Sequence, residues 1–161
     1  TTGVSIMKLD TKMDHGPILT QSAFLINAES NAGTLEVECG QLGGELLNQV
    51  IPYYLEGTLI PQEQDHTQAT ICKKITKDLG LIHLQDDIDI VRRKFRALTP
   101  WPSLYFFITH GERDIRVKVN SLDCVTEKES RVAKDYILSV KHEGKKQMDW
   151  ESFRRGYLDR V

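Results

Sequence analysis

Two carboxylates and an imidazole share one short loop near the start of the chain. Asp10, Asp14 and His15 stand between an apolar run that ends at Leu9 and another that begins at Ile18. A carboxylate beside an imidazole can hold a general base in place or stabilise a developing cation. The competing interpretation is structural, because an acid followed closely by a glycine is common in ordinary turns.

The histidine of this loop and the cysteines of the chain are not spaced as residues of a metal or redox site usually are. His15 has no His or Cys partner at a spacing typical of metal ligands, so we expect no metal. Cys39, Cys72 and Cys124 are far apart, form no C-x-x-C pair and are odd in number. We therefore expect neither a zinc site nor a disulfide framework, and a reducing, cytoplasmic setting. No signal peptide or 18-residue apolar run is apparent, so no membrane span is predicted.

Composition and charge suggest two modules. The chain has 161 residues, of which 40% are hydrophobic and 27% charged, as expected for one globular domain or two small ones. Residues 1–60 hold 2 basic and 7 acidic residues, and the remainder holds 19 basic and 16 acidic residues. These counts correspond to net charges of −5 and +3, which predicts parts with different partners. The chain begins Thr1-Thr2-Gly3-Val4 without Met, which predicts a piece of a longer protein.

The N-terminal part is predicted to be two strands followed by a helix. Strand patterns cover residues 4–9 and 18–26, and apolar residues at helical spacing cover 32–55. Ser30 or Asn31 can cap that helix and Gly57 can follow its end. Its internal glycines predict close packing against another element. The apolar faces of these elements lack an evident partner, and we expect self-association through them.

The C-terminal part is predicted to hold short strands between two helices. After a polar segment we expect a short strand over 81–84 and a helix that begins after Asp86 or Asp87 and stops before 99–102, where two prolines stand. Short strand patterns follow at 104–108, 115–119, 124–125 and 136–140, with a turn at 110–112 and a last helix over 150–157. Several short strands of this kind indicate a small barrel or sandwich.

Three motifs, in the same order along the chain, resemble the methionyl-tRNA formyltransferase family. Residues 2–7 read TGVSIM and are followed by Asp14-His15-Gly16, similar to the family's T-G-V-T-I-M run and D-x-G element. Residues 96–102, RALTPWP, resemble its R-A-x-N-P-W-P signature, and residues 143–148, EGKKQM, its E-G-K-K-x-M element. The resemblance implies an α/β tail of a Rossmann-like catalytic domain followed by a small OB-like β-barrel. It divides the chain into 1–57, a linker at 58–79 and a C-terminal domain at 80–161.

The resemblance also implies a reaction and its residues. The family transfers a formyl group from 10-formyltetrahydrofolate to the methionyl amino group of initiator tRNA. Asp14 corresponds to its catalytic Asp, and the loop residues Asp10, Thr11, Lys12 and Met13 to those lying against the folate. The family's catalytic Asn and His come from an upstream H-P-S-L-L-P segment that this chain lacks, so the chain alone is predicted to be inactive. The stretch 120–141 is short, which predicts a reduced barrel.

The tRNA substrate implied by the resemblance makes the basic residues candidate phosphate contacts. These are Lys73, Lys74, Lys77, Arg92, Arg93, Arg96, Lys145 and Lys146. Solvated surface charge is the alternative for these residues, and Arg96 could also pair with an acid of the barrel. Trp101 could either stack on a base or plug the core between helix and barrel. Two other functions stay open: a folate-dependent formyltransferase acting on a sugar-nucleotide amine, and a non-catalytic RNA-binding module.

Overall fold

The structure, a computed structural model, describes residues 1–126 and 128–159. They divide into two units, of which the first is Thr1–Lys73 and the second begins at Lys74. None of the described helices has both the length and the hydropathy needed to cross a membrane.

The first unit is an antiparallel hairpin covered by one long helix. Strands β1 (Thr2–Met7) and β2 (Ile18–Phe24) pair from Thr2 opposite Phe24 to Met7 opposite Ile18. The strand predicted over 4–9 therefore lies two residues earlier than expected. The ladder has an irregularity between Ile6 and Met7, and after it the chain turns away into the loop instead of continuing to residue 9.

Helix α1 spans Ala32–Leu55, as predicted. Asn31 caps it through a reciprocal pair of hydrogen bonds with Thr34, and Gly57 follows its end with φ +72°. The apolar face at helical spacing is the less exposed face, namely Leu35, Cys39, Leu42, Leu46, Val50 and Tyr54. The prediction for the internal glycines is only partly right. A Cβ on Gly43 would contact Val4 at 3.5 Å, but positions 40 and 44 face open space in the described structure.

The second unit is a four-stranded antiparallel sheet with helices against its inner face. Its strands are β3 (Tyr105–His110), β4 (Arg113–Leu122), β5 (Ile137–His142) and β6 (Gln147–Asp149), paired in that order. Helices α2 (Ile88–Ala97) and α3 (Trp150–Tyr157) match their predicted ranges, and Asp87 caps α2. The sheet's inner face and the helices' apolar stripes share one buried cluster that includes Val91, Phe106, Val117, Val140 and Phe153.

Some strand predictions for the second unit were wrong. Residues 124–125 form a loop, because the Asp123 carboxylate accepts hydrogen bonds from the Val125 and Thr126 amides. The segment 81–84 makes a single parallel bridge, from Leu81 to Tyr105, rather than a strand. Strand β6 was missed, since three residues are too few for a periodic pattern. The pairing of the described strands is an open ladder, so no closed barrel is seen in it.

Trp101 is not a core plug. Its side chain is 55% exposed, although the loop around it is well held. Thr99 Oγ1 donates to the Phe95 carbonyl at 2.6 Å, and Ser103 Oγ donates to the Pro100 carbonyl at 2.7 Å. The loop thus presents the indole to solvent from a fixed backbone.

Candidate functional site

The loop between β1 and β2 depends on one close backbone approach. A Cβ on Gly16 would lie 1.8 Å from the Lys8 carbonyl oxygen, which no side chain could tolerate without backbone movement. The Lys8 amide donates to the Pro17 carbonyl at 3.0 Å and closes the base of the loop. This geometry gives a physical reason for the glycine in the Asp14-His15-Gly16 element: it lets the two ends of the loop meet.

Asp10 organises the loop from within. Its Oδ1 accepts from the Lys12 amide at 2.8 Å, and its Oδ2 lies 2.6 Å from His15 Nδ1. The Lys12 amide, together with His15, holds the pKa of the Asp10 carboxyl below its usual value. The imidazole of the loop is therefore paired with Asp10 rather than with Asp14.

A second segment of the same unit clamps the loop from outside. Gln62 and Ile18 exchange backbone hydrogen bonds of 2.7 and 2.8 Å. The Gln64 side-chain amide donates to the Asp14 carbonyl at 3.1 Å and to the Gly16 carbonyl at 2.6 Å. The His66 ring stacks on His15, with 3.7 Å between ring centroids and 7° between planes. These three residues lie in the stretch predicted as a linker, where isolated Gln and His residues carried no signal.

Asp14 is left with its carboxylate available. Its backbone is left-handed, with φ 53°, a conformation that Asp adopts more readily than most residues. The side chain is exposed and makes no hydrogen bond or ion pair to the residues that the structure describes. The backbone of Asp14 is held in place while its carboxylate has no partner among the described residues. Such a carboxylate can order a water, accept a proton or hydrogen-bond to an imidazole from another segment.

The predicted folate-facing residues differ in their surroundings. Thr11, Lys12 and Met13 are exposed, and the Met13 side chain is 91% exposed. An exposed apolar side chain such as that of Met13 can cover a planar heterocycle. Asp10 acts through loop geometry instead, because both of its oxygens are already used. Within the described residues, no group of three or more His, Cys, Asp and Glu could hold a metal ion.

The predicted basic residues separate into exposed and structural groups. Exposed side chains are Lys73, Lys74, Lys77, Arg93, Lys145 and Lys146, while Arg96 is half-buried. Arg92 is committed to structure, since its guanidinium donates to the Asp123 and Thr126 carbonyls and lies 4.7 Å from the Tyr136 ring centroid. Sequence reasoning missed a further cationic group on the outer face of the sheet: Arg116, Lys118 and Lys141 line one cavity with Lys77. The alternating stretch 115–119, IRVKV, was the available signal.

Residues 74–134 match the family described as "Formyl transferase, C-terminal domain". A protein named methionyl-tRNA formyltransferase from Chloroflexus aurantiacus is 42% identical over 106 residues, which cover 66% of this chain and 34% of that protein. The chain thus spans about a third of the length of the curated relatives it matches.

Solved structures share the fold. Methionyl-tRNA formyltransferase from Clostridium thermocellum matches 92% of this chain and 56% of that one, with a TM-score of 0.52 and 18% identity. HypX from Aquifex aeolicus in complex with tetrahydrofolic acid matches 99% of this chain and 31% of that one, with a TM-score of 0.66 and 14% identity.

The segment 74–134 is therefore similar to the formyltransferase C-terminal domains. The resemblance of this chain to the C-terminal part of the methionyl-tRNA formyltransferases is confirmed by the relatives of that name.

Proposed function

We propose that this chain is part of an enzyme that transfers a formyl group from 10-formyltetrahydrofolate to the methionyl amino group of initiator tRNA. The observation that carries the proposal is the 42% identity to a protein named for that activity. The uncommitted carboxylate of Asp14 on its clamped loop supports it. The family's Asn and His lie outside this chain, and we expect the chain alone to be inactive.

The chemistry assigns Asp14 a specific task. The methionyl amine attacks the formyl carbon, and the new C–N bond gives a tetrahedral intermediate with an oxyanion. Collapse breaks the bond from carbon to N10 of the folate, which receives a proton as it leaves. The oxyanion needs hydrogen-bond donors, which the resemblance assigns to the upstream Asn and His. Asp14 would order a water or the imidazole, so that the ammonium proton is carried away.

The test of this role is Asp14→Asn in the full-length enzyme. We expect kcat to fall about 10²- to 10⁴-fold, the usual contribution of a positioned acid or base. The loop should persist, because it is held through the Asp14 carbonyl and not through the carboxylate. Formyl transfer would be followed by acid-precipitable formyl-methionyl-tRNA, and folding by circular dichroism.

Asp78→Asn is the matched control, since it makes the same chemical change at an exposed position outside the loop. It should keep wild-type kcat. Near wild-type kcat for Asp14→Asn would remove Asp14 from the mechanism.

The folate and tRNA contacts are part of the same proposal. We assign the folate to the loop residues Asp10, Thr11, Lys12 and Met13, with Asp10 shaping the loop and Met13 covering the ring. The exposed lysines and arginines named above supply the tRNA phosphate contacts. Arg92 is the weakest candidate because its guanidinium already bonds two carbonyls.

The organisation of the protein completes the proposal. We retain a catalytic-domain tail at 1–57, a linker at 58–79 and an OB-like C-terminal domain at 80–161. The four-stranded antiparallel sheet supports the last of these assignments. We predict a cytoplasmic enzyme, which the three free cysteines support. We also predict that this chain by itself self-associates through its first unit.

A further inference from the structure

A cavity of about 420 Å³ opens on the outer face of the second unit's sheet. Its lining includes Tyr105 of β3, Arg116 and Lys118 of β4, and Lys141 of β5. Trp101 and Lys77 line it from the segments before β3. The lining holds four cationic side chains and one carboxylate, that of Glu143.

The strand register places two of these cations directly opposite each other. Tyr105 pairs with Lys118, Lys118 with Lys141, and Lys141 with Gln147, so one row of side chains crosses all four strands. Like charges on directly opposed residues destabilise a sheet. Neither lysine has an ion-pair partner among the residues that the structure describes. An anion bound between the two ammonium groups would be attracted by both of them and would offset their mutual repulsion.

The same cavity has flat surfaces beside its charges. The Arg116 guanidinium lies 3.7 Å from the centroid of the Tyr105 ring, so the two form a stacked pair whose guanidinium lines the cavity. The exposed Trp101 indole stands on a backbone held by the Thr99 and Ser103 hydrogen bonds. Planar guanidinium and indole groups bind nucleic-acid bases by stacking, largely irrespective of base identity.

Close backbone packing supports the loop that carries Trp101. A Cβ on Gly80 would lie 2.2 Å from the Ser103 carbonyl oxygen, so the segment before the sheet supports the Trp101 loop at backbone distance. The Lys94 ammonium also donates to the Leu81 carbonyl at 3.2 Å. A site whose walls are already in place loses little conformational entropy when it binds.

We propose that this cavity binds a single unpaired nucleotide. Its phosphate lies between Lys118 and Lys141, and its base stacks on Trp101 or on the Arg116–Tyr105 pair. The assignment of the nucleotide to an RNA strand rests on the proposed function, whereas the nucleotide chemistry itself rests on the cavity. A free nucleotide offers the same phosphate and base, and the experiment separates these two sources.

The experiment measures binding of fluorescein-labelled single-stranded tetra-adenylate to the 161-residue chain by fluorescence anisotropy. Unlabelled tetra-adenylate, AMP and a short blunt RNA duplex serve as competitors. We expect tetra-adenylate to compete better than the duplex, because only an unstacked base reaches the aromatic surface. Tryptophan fluorescence gives a second readout, since Trp150 is only 8% exposed and quenching by nucleotide would report on Trp101.

Variants test the two halves of the site separately. Trp101→Ala should weaken tetra-adenylate binding about tenfold, in line with the loss of one stacked base. Lys118→Gln with Lys141→Gln should lower the slope of log Kd against log salt by about 0.7, the value for the loss of one single-strand phosphate contact. Arg113→Gln is the control, because it removes one positive charge at the start of β4 outside the cavity, and it should leave Kd within twofold.

The competition results distinguish an RNA strand from a free nucleotide. Preference for tetra-adenylate over AMP assigns the site to RNA, while equal competition assigns it to a free nucleotide. Equal binding of duplex and single strand, with no effect of Trp101→Ala, would overturn the proposal in favour of plain phosphate attraction. The proposal would also be overturned if Arg113→Gln changed the slope of log Kd against log salt as much as the double lysine variant does. None of these binding measurements depends on formyl transfer. A negative result for the nucleotide site therefore leaves the proposed role of Asp14 unaffected, and a negative result for Asp14 leaves the nucleotide site unaffected.

Discussion

At the scale of single residues, the β1–β2 loop separates a chemical role from an architectural one. Asp10 and Asp14 are four residues apart and looked equivalent in sequence, yet their environments differ. Both carboxylate oxygens of Asp10 are engaged by loop residues, the Lys12 amide and the His15 ring, and these contacts lower the pKa of Asp10. Asp14 contributes only its carbonyl to the loop and keeps its carboxylate exposed.

Gly16→Ala tests whether this loop depends on its closest backbone approach. The added methyl would stand 1.8 Å from the Lys8 carbonyl oxygen, so the ends of the loop must separate. We expect faster amide hydrogen exchange over residues 8–17, a lower unfolding temperature and loss of formyl transfer in the full-length enzyme. Hydrogen exchange with mass spectrometry measures the first effect, and differential scanning calorimetry the second.

Gly44→Ala is the control for this substitution. Position 44 is inside α1 and a Cβ there meets nothing within 4 Å, so alanine should stabilise the helix by about 1 kcal/mol. If Gly16→Ala exchanged and melted as the wild type does, the loop geometry described above would be wrong.

At the scale of elements, the two helices of the second unit hold the sheet's inner face closed to water. Helix α3 contributes Trp150 and Phe153, which pack on Phe106 of β3 with ring centroids 6.1 and 6.2 Å away. Helix α2 contributes Ile88 and Val91, both buried. The cationic cavity on the outer face is positioned by this packing, and Leu104 belongs both to the buried cluster and to the lining of the cavity.

Phe153→Ala is expected to destabilise the second unit by about 3–5 kcal/mol, the usual cost of removing a buried aromatic side chain. Phe153 is 0% exposed and contacts Phe106, Trp150 and Tyr157 through its ring. Urea unfolding followed by circular dichroism measures the change in the free energy of unfolding. Leu138→Ala, at a β5 side chain that is 52% exposed, should cost less than about 1 kcal/mol. Equal losses in the two variants would contradict the packing described for α3.

At the scale of the whole molecule, the two units differ in charge and in how completely they cover their apolar surfaces. The buried hydrophobic cluster of the described residues lies in the second unit. In the first unit, α1 buries one face against the hairpin and exposes Val37, Leu47, Ile51 and Leu55 on its other side. Gly40 and Gly44 lie along that exposed side, with open space in front of them. Such a stripe allows close approach of another apolar surface.

Self-association through this stripe is the corresponding prediction. Sedimentation velocity of the 161-residue chain should show a sedimentation coefficient that rises with concentration, because burying the stripe removes apolar area from water. Leu47→Gln with Ile51→Gln should suppress that rise. Leu138→Gln, which changes an exposed leucine of the second unit, should not. A monomer at every concentration, or an unchanged rise in the double variant, would count against association through α1.

The elements that repeat over several turns or strands were predictable from local pattern. The range of α1, its Asn31 cap, its less exposed face and the stripe of α2 all followed from apolar spacing and capping chemistry. The loop carrying Asp14 was also placed correctly, between two strands, by its Gly and Pro. Short elements were not predictable: β6 has three residues, and the bridge at Leu81 involves one. Their hydrogen bonds come from strands distant in sequence.

The sequence by itself determined the family resemblance, the order of the helices and strands, and the candidate carboxylates, because these depend on residue type and spacing along the chain. Only the tertiary structure decided which carboxylate is committed, that Gln62, Gln64 and His66 clamp the loop, and that Trp101 is exposed. It also decided that Lys118 and Lys141, 23 residues apart, stand side by side. The physical reason is the same in each case: these properties arise from contacts between segments far apart in the chain, and strand register and loop closure set such contacts.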